Sequence, residues 1–364
     1  MDNQANVTLL GEAGPAVPFA AAADVLRTDY GLTGELDRLP GEADDNFLLR
    51  TPEAGGYVLK FAHPMTDPEV IDMQVRALRQ LAASTDLPVQ RVVPTLDGLP
   101  RARAQERIVL VTTYLPGTQM REVAMTEALR RQLGATLAVL AQALKEVPAK
   151  PRPLLWDIAQ LTQLRPLAAE LPPRFGRDLL TALIDRFAQS IEPRLKYQRT
   201  QLVHNDFNVD NVLIDAGRGR VDGILDFGDM TVTALVNDVA IAACYHIAVT
   251  GEQGAAGGGQ PAGGAEPAGG GELDVAEAAL DVIAGYHAST PLTDEELDLL
   301  PGLMLARLTA RVAISRWRAL RFPDNEDYLL RSTAMAWGQL NRLLAVPERE
   351  LAERIHAKTE QPDA

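Results

Sequence analysis

Three features of the sequence predict an α+β chain of two lobes, a small antiparallel β-sheet lobe followed by a larger, mainly helical one. Short β-prone runs separated by turn residues crowd the first 115 positions, and apolar residues at a 3.6 period dominate from about residue 121. Inside that helical half, two loops dense in Asp and Asn follow short strand-like runs.

The elements follow in order. Residues 17–30 read as a short helix, and β-prone runs then span 34–39, 46–50, 57–62, 89–95 and 108–115. Between the third and fourth runs, Val70, Ile71, Val75, Leu78 and Leu81 recur on one face of a helix over 67–83. These elements make the first predicted lobe, residues 1–116. The second, residues 117–350, carries helices over 126–145, 177–192 and 300–320, a capping box at Thr293-Asp-Glu-Glu296, and short strands over 201–203, 212–214 and 221–225. Residues 251–272 hold ten of the chain's 28 glycines, a composition that predicts a disordered insertion. Alternating charge from Pro347 predicts a solvated helix with a frayed end over 351–364.

Composition narrows the class of function. With a net charge of −14 the chain is a poor match for a phosphate backbone, so no nucleic-acid partner is expected. Cys244 is the only cysteine, which excludes an intrachain disulfide and a thiolate-rich zinc site. Neither a secretory leader nor a run of eighteen apolar residues occurs, so a cytoplasmic chain without membrane attachment is expected. His63, His246, His287 and His356 share no ligand spacing and read as ordinary satisfied histidines.

The chemistry concentrates in His204-Asn-Asp206-Phe-Asn-Val-Asp-Asn211 and Asp226-Phe-Gly-Asp229, each behind a predicted strand. Phosphoryl transfer to a hydroxyl requires a carboxylate to orient the hydroxyl and accept its proton, and hard oxygen ligands to hold magnesium against the phosphates. Asp206 is the candidate base, Asn211 and Asp226 are the candidate magnesium ligands, and His204 reads as architectural. The order strand, H-x-D-x-x-x-x-N, hairpin, D-F-G is that of a kinase catalytic loop and metal loop, which makes the predicted architecture a bilobal, protein kinase-like one.

Lys60, inside the apolar strand Tyr57-Val-Leu-Lys-Phe-Ala62, is the candidate phosphate ligand. A Glu is expected as its partner on the following helix. Gln74 stands at that spacing instead, with Asp72 as the alternative. The turn Gly41-Glu-Ala-Asp-Asp-Asn46 falls where a phosphate-covering loop belongs, with Asn46 at its end; a plain hairpin turn accounts for it equally well. Thr112-Thr113-Tyr114-Leu-Pro-Gly117 closes the sheet and reads as a hinge whose backbone meets the nucleotide base.

With these residues in view, the chain resembles the aminoglycoside phosphotransferase and choline kinase superfamily, and within it the hydroxylysine kinase-like branch. The resemblance is carried by the YLPG run at 114–117, Leu154-Leu-Trp156-Asp157, the two loops above, Asn237-Asp238-Val-Ala-Ile-Ala242, the segment 306–317 and Pro323-Asp-Asn325. It implies ATP- or GTP-dependent, magnesium-dependent phosphorylation of a small hydroxylated amine, with Asp206 as base, Asn211 and Asp226 on the metal and Lys60 on the phosphates. Asp229, Trp156, Asp157, Arg311 and Trp317 are candidates for the acceptor pocket, since carboxylates pair an amine, Arg a carboxylate and an aromatic face a cation. Each has a second reading: Asp157 as a helix cap, the tryptophans as core, Arg311 in a surface ion pair. Asp238 is expected to cap the helix running through Ala242 and to brace the catalytic loop. An antibiotic phosphotransferase and a nucleotide-binding regulator without catalysis are the alternative functions.

Overall fold

The computed structural model describes residues 16–41, 43–51, 55–248, 274–321 and 326–360. The insertion expected over 251–272 and the last four residues of the expected frayed end lie outside the described residues.

Helix α1 (Phe19–Asp29) leads into strands β1 (Glu35–Leu39), β2 (Asp45–Arg50), β3 (Tyr57–Phe61), β4 (Ala102–Ala104) and β5 (Arg107–Thr113). They form one antiparallel sheet in the order β1-β2-β3-β5-β4. Alternation along the strands decides its two faces. Phe47, Leu49, Leu59, Phe61, Val109 and Val111 bury against Ala22, Val25 and Leu26 of α1. The opposite face carries Asn46, Lys60 and Leu110, in register across β2, β3 and β5. There α2 (Pro68–Ser84) packs Ile71 and Val75 onto Ala62, Ile108 and Leu110. Asp67 caps α2 by accepting the Glu69 N–H at 3.0 Å, and Pro68 opens it.

The run 89–95 is not the fourth strand. It makes only two isolated bridges, Val89 with Ile224 and Val92 with Thr112, because Pro88 and Pro94 supply no N–H and its remaining groups bond to different elements. The three-residue β4 takes the edge position instead, too short to leave a periodic signal.

The helical lobe is built on α3 (Glu127–Lys145), α4 (Arg165–Glu170), α5 (Arg177–Ser190), α6 (Glu192–Leu195), α7 (Leu235–Cys244), α8 (Glu277–Ser289), α9 (Asp294–Arg321), α10 (Glu326–Leu344) and α11 (Glu348–Thr359). α3 and α8 meet backbone to backbone: a Cβ on Gly134 would stand 2.0 Å from the Val282 carbonyl oxygen, and one on Gly285 1.9 Å from that of Arg131. Glycine is therefore required at both positions. α9 starts earlier than its periodicity indicates, at the Thr293–Glu296 capping box, where each side chain accepts the other residue's N–H at 3.2 and 2.8 Å. It then continues through Pro301.

The expectation of a frayed end from 351 is corrected through residue 360. α11 buries Leu351 and Ile355, and its Lys358 pairs at 3.0 Å with Asp281, a carboxylate buried in α8. Charge alternation concealed an apolar pair spaced one helical turn apart.

Small strands frame the two polar loops. β7 (Thr200–Val203) pairs with β10 (Thr231–Ala234), while β6 (Thr118–Gln119), β8 (Val212–Asp215) and β9 (Arg220–Ile224) form a second antiparallel ladder. The loop 204–211 thus leaves β7, and the loop 225–230 joins β9 to β10. No helix among the described residues is long and apolar enough to cross a membrane.

Candidate active site

Where β7 ends, Asn205 adopts a left-handed conformation (φ 63°), a geometry Asn tolerates better than most residues. Asp238, buried inside α7, accepts the N–H groups of His204 and Asn205 at 2.9 and 2.7 Å and so fixes this turn. Burial pushes the Asp238 carboxyl pKa up, and His204 and these two N–H groups oppose the rise. Asp238 thus ties α7 to this loop, but it caps no helix: α7 begins three residues earlier, at Leu235. The buried His204 ring bridges both loops, with Nε2 3.0 Å from the Leu225 carbonyl and Nδ1 accepting the Asp206 N–H at 3.3 Å. Both ring nitrogens are engaged, which suits an architectural role.

The Asp206 carboxylate is held on both oxygens. Oδ1 accepts from Asn208 Nδ2 at 2.8 Å and from Arg307 at 2.5 Å, and Oδ2 accepts from Asn211 Nδ2 at 2.6 Å. With its NH2 turned to Asp206, Asn211 has an amide oxygen that receives no hydrogen bond among the described residues. Its backbone carbonyl accepts the Leu225 N–H at 2.8 Å, which draws the two loops together just before Asp226.

Asp226 also lies in the left-handed region (φ 54°), an uncommon position for a side chain with a Cβ and one found often at functional turns. Its Oδ1 accepts the Gly228 N–H at 3.1 Å and stands 3.7 Å from Lys60 Nζ, across the cleft between sheet and helical lobe. Lys60 lowers the Asp226 pKa more than burial raises it. Burial alone would lower the Lys60 pKa, but Asp226 and Asp44 reverse this and hold it above the ordinary lysine value.

The partner expected for Lys60 is corrected here. Neither Gln74 nor Asp72 holds it; Asp44, from the β1–β2 turn, lies 3.4 Å away. Asp72 forms a two-pronged pair with Arg101 at 2.6 and 3.1 Å, and Gln74 is buried within α2. Asp44 is itself oriented by the His63 N–H at 2.8 Å. Asn46 stands opposite Lys60 on β2, and its Oδ1 is buried without a partner among the described residues.

At the hinge, the Thr113 N–H bonds to the Arg91 carbonyl and the Tyr114 N–H to the Gly56 carbonyl, at 2.9 and 3.0 Å. The Tyr114 carbonyl and Leu115 N–H form no hydrogen bond among the described residues.

The acceptor candidates separate. Asp229 acts electrostatically on both Lys60 and Arg152. Arg152 in turn pins the loop 225–230 by donating to the carbonyls of Gly228 and Met230 at 2.7 and 2.9 Å. Asp157 is buried and engaged, capping the turn at Ala159 at 3.0 Å and accepting from Thr233 at 3.1 Å. The Trp156 ring lies beside Arg307, 5.6 Å from its guanidinium. Arg311 donates to the Tyr245 hydroxyl at 3.0 Å. Trp317 is not brought to the site: it packs in the core and donates to Glu170 at 2.9 Å, ten residues and about 15 Å along α9 from Arg307.

Arg307, Tyr245, Asp44 and Arg152 were missed. Arg307 leaves one signal in the sequence, a lone cation among apolar residues on a helix, which it shares with Arg311 one turn away. Asp44 and Arg152 reach the site from loops without periodicity.

Residues 35–273 match the Phosphotransferase enzyme family, most of the chain and both polar loops. The chain belongs to that family. As a phosphotransferase it is 24 % identical over 370 residues to hydroxylysine kinase of Danio rerio, a match covering 96 % of this chain and 98 % of the relative. Homoserine kinase of Chelativorans sp. is 28 % identical over 317 residues, covering 80 % and 84 %. Among solved structures, amicoumacin kinase hAmiN in complex with AMP-PNP, Ca2+ and Ami superposes with a TM-score of 0.64 at 17 % identity, over 93 % of this chain and 94 % of that one. This likeness bears out the predicted fold, an antiparallel sheet lobe joined to a helical lobe.

Proposed function

We propose that this phosphotransferase moves the γ-phosphate of ATP or GTP to a hydroxyl of a small amine or hydroxy amino acid of the 5-hydroxylysine or homoserine kind. The observation that carries the reading is the meeting of Lys60 from the sheet with Asp226 from the metal loop, while Asn211 ties that loop's neighbour to Asp206. The names of the full-length relatives, hydroxylysine kinase and homoserine kinase, support the acceptor class.

In this reading Asp206 orients the acceptor hydroxyl and takes its proton. Arg307, Asn208 and Asn211 restrain its carboxylate from three sides, so little reorganisation is needed when the acceptor arrives. Lys60 pairs with phosphate oxygens, its charge secured by Asp44 and Asp226. The unengaged amide oxygen of Asn211 and the exposed carboxylate of Asp226 are hard donors, the kind magnesium takes one or two of alongside phosphate and water. Magnesium held there would neutralise phosphate charge. The Tyr114 carbonyl and Leu115 N–H would meet the base.

The test is a coupled assay of purified protein with magnesium, ATP and GTP against 5-hydroxylysine, homoserine, choline, ethanolamine and spectinomycin. Phosphorylation of a hydroxy amino acid is expected. Absence of transfer to every acceptor, with nucleotide bound, would remove the assignment.

A further inference from the structure

Two guanidinium groups face one carboxylate beside the catalytic loop. Arg307 and Arg311 stand four residues apart on one face of α9. Asp206 is committed to Arg307, Asn208 and Asn211. Arg311 hydrogen-bonds only a neutral partner, the Tyr245 hydroxyl at 3.0 Å; Asp206 acts on it through space, but no carboxylate among the described residues forms an ion pair with it. That hydroxyl also accepts from Arg307 at 3.2 Å, so its own proton has no acceptor there either. Arginine cannot discharge itself, and a partly buried guanidinium without a directly paired counter-ion is costly. The unused N–H groups of Arg311 and the Tyr245 O–H therefore form an anion receptor about one helical turn, or roughly 6 Å, from the residue that holds Asp206.

We propose that Arg311 and Tyr245 bind the carboxylate of the phosphate acceptor, so that the substrate is a hydroxy acid or hydroxy amino acid and not an amino alcohol or aminoglycoside. The inference rests on Asp206 being the base that receives the acceptor hydroxyl. It also sets a length: carboxylate and hydroxyl are separated by a short carbon chain, matching one helical turn.

The test compares homoserine with 3-aminopropan-1-ol, which is homoserine without its carboxylate, on wild type, Arg311→Met and Tyr245→Phe in the full chain. Wild type is expected to favour homoserine by about 100-fold in kcat/KM, the scale of a charge-assisted, two-pronged hydrogen bond. Arg311→Met should raise the homoserine KM about 100-fold with the nucleotide KM unchanged, and Tyr245→Phe, which keeps the ring in place, about tenfold. Equal use of the two acceptors by wild type, or a homoserine KM within threefold of wild type in both variants, would overturn the receptor. If no acceptor is phosphorylated, the kinase reading fails separately, and intrinsic tryptophan fluorescence decides the receptor alone. A saturable change with homoserine, absent with the amino alcohol and lost in Arg311→Met, upholds it; no carboxylate-dependent change refutes it.

Discussion

Asp206→Asn is predicted to damage the fold as well as the reaction. The carboxylate accepts three side-chain donors, with Arg307 and Asn208 on Oδ1 and Asn211 on Oδ2. An amide has one acceptor oxygen. Placed at Oδ1, it leaves its NH2 facing the Asn211 NH2; placed at Oδ2, its NH2 faces two donors. The first arrangement is the milder, yet it still strands a charge, since the Arg307 side chain is only 3 % exposed. One unmet donor costs about 1–3 kcal/mol, and breaking a buried ion pair from one side about 3–5 kcal/mol. Because Arg307 keeps one neutral bond to the amide, we take about 3 kcal/mol in all. At roughly 2 cal/mol/K of unfolding entropy per residue, 364 residues give about 0.8 kcal/mol/K, so the melting temperature should fall by about 4 °C. With Asp206 as the proposed base, turnover should fall by about 10³-fold or more. Arg307→Met removes the stranded charge, so the double variant should be destabilised by about 2 kcal/mol less than the two single effects summed, while activity stays lost. Calorimetry of the four proteins measures the cycle. An Asp206→Asn protein that melts with wild type, or strictly additive single effects, would refute the coupling.

Three further outcomes follow from the same structure. Lys60→Met removes the charge that depresses the Asp226 pKa, so the Asp226 carboxyl carbon should titrate at higher pH by NMR; the stabilisation from this pair is present above the ordinary aspartate value near 3.8 and lost as pH falls through the lowered one, and an unchanged titration would exclude the contact. Burial, with Arg130 nearby and Asp281 opposing, lowers the His246 pKa from 6.5 to about 4, so between those values the unfolded chain binds a proton the folded one refuses. Stability should drop by up to roughly 3 kcal/mol as pH falls from 6.5 to 4, and His246→Gln should flatten that limb of a pH series of urea denaturations. Deletion of residues 252–270 should leave melting temperature and turnover within experimental scatter, because Ala248 and Val275 on either side are already joined by a 3.0 Å backbone bond. Loss of soluble protein would contradict this.

What the sequence made legible, and what it hid, divides by the range of the interaction. The loops 204–211 and 226–229 could be read because their chemistry is local: Asp206 meets Asn208 and Asn211 within five residues, and a strand before each loop is a period-two signal. Lys60 was legible for the same reason, as a cation inside an apolar alternation. The groups that orient these residues come from far along the chain. Arg307 reaches Asp206 across 101 positions, and Asp238 reaches His204 across 34. No spacing rule links such pairs; only the packing of α7 and α9 against the loop does. The error over Gln74 has the same origin, since helical spacing located the residue correctly while the lysine turned to Asp44 across the sheet edge, where turn residues carry no periodicity. Arg307 and Arg311 show the same limit on a single helix. Both lie on one face of α9, and periodicity cannot tell a cation that has a counter-ion from one that lacks it. That difference is what the proposed acceptor carboxylate would detect: Arg307 forms an ion pair with Asp206, and Arg311, one turn further on, has no directly paired carboxylate among the described residues. Under the proposed receptor, the arginine that the sequence favoured is the one that meets the substrate, while Arg307 holds Asp206 in place.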